Sequence, residues 1–139
     1  MPRKRWLALA LCVGFVLLIG VTLVRVELGQ RAALDAAFTA MPRLPDAQVT
    51  SVERSDRQAI GHYATRSTPE EVIAFYDQQL AQQRWMTRGP LQTLADALRK
   101  CYADPGGRLL KLTAPKTPSV SGYAYELVLS RDICLGVRN

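Results

Sequence analysis

The chain has 139 residues, 48% hydrophobic and 22% charged, with a formal net charge of +6. Five basic and two acidic side chains fall in residues 1–40, leaving thirteen basic and ten acidic, interspersed, in residues 41–139. That mixed surface argues against a nucleic-acid-binding domain, which shows a clustered basic face. A single histidine and the lack of a Cys-x-x-Cys pair give no ligand set for a metal site, so no cofactor is expected.

Arg3, Lys4 and Arg5 open the chain and are followed by Trp6 to Val24, nineteen residues without a charge. As a helix this run would extend roughly 29 Å, close to the hydrocarbon thickness of a bilayer. It is longer than the core of a cleaved signal peptide, and no good small-x-small site follows it. The reading is an uncleaved anchor over residues 6–25 in contact with the lipid bilayer, preceded by a basic tail over residues 1–5. The excess of basic residues before the anchor places the N-terminus in the cytoplasm and the body outside it. Arginine outnumbers lysine fourteen to four and Asn139 is the only asparagine, a bias of GC-rich bacterial genomes, so the expected address is a bacterial inner membrane, with the C-terminal part in the periplasm.

Residues 26–43 read as a helical stalk ending in a stiff hinge at Pro42 and Pro45. The globular domain is expected over residues 44–139. Gln48 to Arg54 and Ile60 to Arg66 read as two antiparallel strands around a polar turn. Thr68-Pro69-Glu70-Glu71 then spells a helix start, with Thr68 as N-cap, Pro69 at the first position and Glu71 completing a capping box. Val72, Ile73, Phe75, Tyr76 and Leu80 share one side of that helix, which should end near Gln83.

The stretch from Tyr63 to Trp85 carries a resemblance. Tyr63-Ala64-Thr65 leads into Ser67-Thr68-Pro69-Glu70-Glu71-Val72, then Phe75-Tyr76, Leu80 and Trp85. It resembles small uncharacterised bacterial envelope proteins with an N-terminal anchor and one α+β domain. Arg84 stands where that pattern has glycine. The resemblance implies a fold and a cellular address but no activity.

Trp85 to Thr87 reads as a strand start closed by Gly89-Pro90. Leu91, Leu94, Ala95 and Leu98 have helical spacing over a short span. Lys100 to Asp104 and Arg108 to Ala114 form an expected hairpin around Asp104-Pro105-Gly106-Gly107. Tyr123 to Ser130 alternates, with Tyr123, Tyr125, Leu127 and Leu129 on one face. Ile133 to Val137 reads as a short strand or a tail. The fold class is α+β, a two-layer domain with one amphipathic helix over an antiparallel sheet.

Cys101 and Cys134 are expected to pair in an oxidising compartment. His62 has no nucleophile elbow beside it, and Glu70 and Glu71 are explained by helix capping. The sequence thus shows no catalytic residue, and an enzyme is not expected. The aromatics of the sheet, Tyr123 and Tyr125 first, are the candidate contacts for a partner. The expected role is a protein-interaction or envelope-assembly module with an envelope protein as partner. The alternative is a module holding a small apolar ligand or lipid between helix and sheet.

Overall fold

Helix α1 runs from Pro2 to Thr39. Its apolar stretch contains no proline, and Pro42 and Pro45 stop it from continuing. The computed structural model describes the backbone of residues 2–131 and Cys134, with side chains from Leu11 onward. Met1, the side chains of the rest of the basic tail and that of Trp6 lie outside what is described, as does the expected strand over 133–137 apart from Cys134. The chain divides into two compact units between Ala33 and Leu34. In the first, α1 is long and apolar enough from Leu11 to cross a membrane, and its large apolar side chains are exposed.

The second unit does not begin at residue 44. Leu34 and Phe38 are each 2% exposed, and Met41 and Leu44 are buried in the same core cluster. The expected stalk over residues 26–43 is corrected accordingly: its last part belongs to the domain. The prolines are not a free hinge either, because the Pro42 carbonyl accepts a hydrogen bond from the Tyr76 hydroxyl at 3.0 Å.

The domain is one antiparallel sheet of seven strands. β1 spans Gln48–Arg54, β2 Gln58–Thr65, β3 Met86–Thr87, β4 Gln92–Thr93, β5 Ala97–Ala103, β6 Leu109–Pro115 and β7 Tyr123–Ser130. The order is β1-β2-β7-β6-β5-β3, with β4 also paired to β5. β7 thus enters between β2 and β6, joining the N-terminal hairpin to the later meander.

Residues 91–98 are not helical. They supply β4, a turn closed by the Leu94 amide donating to the Ala97 carbonyl at 2.8 Å, and the start of β5. Four apolar residues at spacings of three and four fit a helix or a strand–turn–strand equally over so short a span, and pairing to β5 decides it.

Helix α2 spans Pro69–Gln82 and begins with the expected capping box. The Glu71 amide donates to the Thr68 hydroxyl, and the Thr68 amide to the Glu71 carboxylate at 2.7 Å. Val72, Ile73, Tyr76 and Leu80 are buried against one face of the sheet. Asp77 locks the helix to β5, accepting from Lys100 Nζ at 2.7 Å and from the Tyr102 hydroxyl at 2.9 Å. Phe38 reaches the same face at Gly61, where a Cβ would meet its ring at 2.8 Å. The sheet therefore has one face under helices and one face that no described helix covers, a partition open to antiparallel sheets.

Candidate functional site

Strand alternation sorts the side chains between the two faces. Tyr125, Leu127 and Leu129 of β7 point inward, as do Leu110 and Leu112 of β6, and all five are at most 1% exposed. Glu126 and Thr113 between them therefore point outward, and so do His62 of β2 and Arg99 of β5. Register aligns these four. Arg99 lies opposite Thr113, Thr113 opposite Glu126, and Glu126 opposite His62. The result is a polar row across four adjacent strands.

This row is poorly satisfied from within. Thr113 Oγ1 and Arg99 Nε are shielded from solvent and have no hydrogen-bond partner among the described residues, although most buried polar atoms have one. Glu126 faces His62 Nδ1 at 3.9 Å and Lys111 Nζ at 3.7 Å, both longer than a hydrogen bond. The pairs are half-exposed and therefore hold the row only weakly.

Over the His62, Thr113 and Glu126 part of the row lies a concavity of about 400 Å³. Its lining includes the small apolar residues Ala64, Ala124 and Pro115, and Ser119 and Ser121 of the β6–β7 loop. That loop is held by paired backbone bonds between Ser119 and Gly122. Gly122 has φ +119, and a Cβ there would strike the Thr65 carbonyl. Val120 at its tip is wholly exposed. The rim beyond is hydrogen-bonded as well. Asp46 accepts from the Arg66 amide at 2.8 Å and the Thr65 hydroxyl at 2.9 Å, and these bonds hold its carboxyl below the usual range.

The sequence-expected contacts fall elsewhere. Tyr125 is 1% exposed, stacked on Tyr63 at 4.8 Å and in hydroxyl contact with Tyr76 at 3.3 Å. It is a core residue and presents nothing to a partner, which corrects the expectation of an exposed aromatic. Tyr123, half-buried at the start of β7, keeps some surface. Burial raises the pKa of the phenols of Tyr63, Tyr76 and Tyr102 and pushes Tyr125 up to about 12. These four rings and the leucines around them are buried in the core between helices and sheet.

Cys101 and Cys134 form the expected disulfide, with a sequence separation of 33. Cys101 lies opposite Lys111, so the bond ties the segment after β7 to β5 on the outward face. Among the described residues no group of three metal-ligating side chains comes together. The outward row itself went unread in the sequence, because its members are single polar residues on strands far apart along the chain. Only the alternation of β7, which turns Glu126 away from the core, was available as a signal. No protein family model, curated protein or solved structure matches the chain.

Proposed function

We propose that the chain is a single-pass bacterial inner-membrane protein whose periplasmic domain binds an envelope protein through the uncovered face of its sheet. The observation that carries this reading is the concavity on that face, walled by His62, Thr113 and Glu126. Exposed side chains are the ones available to a partner, and the uncovered face presents them, whereas the residues under the helices are buried. Anchoring through α1 supports the reading by confining the domain to the membrane plane, where its effective concentration near other envelope proteins is high. The Cys101–Cys134 disulfide favours an oxidising compartment. The excess of basic residues before the apolar run favours a cytoplasmic N-terminus.

The test is site-specific photocrosslinking in intact cells. A photoreactive residue at Ala124, exposed on the uncovered face, is compared with one at Gln78, exposed on α2. A discrete adduct from Ala124 and none from Gln78 is expected. Silence at Ala124, or equal capture at both positions, refutes binding by this face. Protease added to spheroplasts should digest the domain, and its protection would overturn the periplasmic assignment.

A further inference from the structure

We infer that the concavity over Thr113, Glu126 and His62 takes an extended, uncharged peptide segment with small side chains. This rests on the reading of the uncovered face as a partner surface and names what that surface recognises. Three observations point to backbone amides. The row offers both kinds of hydrogen-bonding group, a carboxylate acceptor at Glu126 and a donor-capable imidazole at His62, whose side chain is 41% exposed. An amide supplies the complement of each within one repeating unit. Charge selects against ionic ligands, since Glu126 repels an anion and Lys111, 3.7 Å from it, competes with any cation. Ala64, Ala124 and Pro115 in the lining are small and apolar, suited to contact with methyl-sized side chains.

The dimensions agree. The concavity draws on β1, β2, β7 and β6, which are neighbours in the sheet. Four strands at about 4.8 Å spacing span roughly 14 Å, the length of about four extended residues. A sugar chain is the competing occupant of a neutral polar groove. Sugar recognition draws on aromatic faces, and the two aromatic residues at this concavity, Tyr63 and Tyr125, bury their rings on the other side of the sheet.

The experiment uses the full chain in detergent micelles with carbon-13-labelled alanine methyls. The probe is acetyl-tetraalanine amide, and chitotetraose is the competitor of the other class. The peptide should shift the Ala64 and Ala124 methyl signals saturably, at concentrations up to roughly 10 mM for so short a probe. Glu126→Gln should weaken that binding about tenfold, the effect of losing one charged hydrogen-bond acceptor. His62→Phe should weaken it too, while both variants keep the wild-type alanine spectrum elsewhere. Unmoved Ala64 and Ala124 signals, shifts that survive Glu126→Gln unchanged, or shifts produced by chitotetraose alone would each overturn the inference. Photocrosslinking from Ala124 separates the two levels. An adduct there with a silent peptide removes the peptide inference and leaves the partner reading standing.

Discussion

Arg84 is the only non-glycine among the described residues with positive φ, at 64°. It sits just past α2, where the Trp85 amide reaches the Leu80 carbonyl at 2.9 Å and the Arg84 amide reaches Ala81 at 3.1 Å. That pair of bonds needs a left-handed residue, and the side chain makes the conformation costly by about 1–2 kcal/mol. Replacing Arg84 by glycine should therefore raise the unfolding free energy by about 0.5–1 kcal/mol, after the added freedom of the unfolded chain is deducted. Urea denaturation measures it, and a loss of stability would show that the Arg84 side chain contributes more than its strain costs. The buried tyrosines illustrate another residue-scale choice. Tyr76 spends its hydroxyl on Pro42 and Tyr125 rather than on solvent, so aromatic residues with polar ends serve here as core material.

Among the elements, the end of α1 is the one whose role changed most. Leu34, Phe38 and Met41 lie in the core, and Arg54 of β1 meets Asp35 at 3.2 Å. Burying three large apolar side chains contributes roughly 5–9 kcal/mol at about 1.5–3 kcal/mol each. That is comparable with the whole net stability of a small domain, about 5–15 kcal/mol. A chain beginning at residue 34 should give a cooperative thermal transition by circular dichroism. One beginning at residue 44 should give none. If the shorter chain melts cooperatively at a similar temperature, the packing of α1 is dispensable. The glycine at position 61 belongs to the same contact, since any Cβ there would collide with Phe38 and Tyr63.

At the scale of the whole molecule, three conditions should loosen the domain. Reduction removes the constraint that Cys101–Cys134 places on the unfolded chain across 33 residues, worth roughly 3–4 kcal/mol in the chain-entropy view. The urea midpoint should fall on adding reductant, and an unchanged midpoint would count against a stabilising bond. Alkaline pH acts through the tyrosines. Their folded-state pKa values are raised, so the unfolded chain ionises first, near the ordinary 10.0. The stability they contribute is complete below that pH and is lost as pH rises through about 12 for Tyr125, and higher for Tyr76 and Tyr102. The melting temperature should decline from pH 10 upward, and phenolate absorbance from the buried rings should appear together with unfolding. Ionisation well before unfolding would place those rings in water. Asp46 works in the opposite sense. Its lowered pKa gives stability that is present above 3.8 and lost as pH falls.

What the sequence determined by itself is what local periodicity and end signals encode. The uncharged run from Trp6 to Val24, the capping box at Thr68 and Glu71, the buried side of α2, the alternation of β7 and the α+β class all follow from residues within one or two turns of one another. The pairing of Cys101 with Cys134 was legible from their number and expected compartment. The tertiary structure decided everything that depends on which strands become neighbours. Insertion of β7 between β2 and β6 stacked Tyr63 on Tyr125 and made core of what read as surface. The same register lined up Arg99, Thr113, Glu126 and His62, which no spacing along the chain connects. It also drew Leu34 and Phe38 into the core, because an apolar helix end gives no sign of whether it will meet lipid, water or a sheet until the sheet exists.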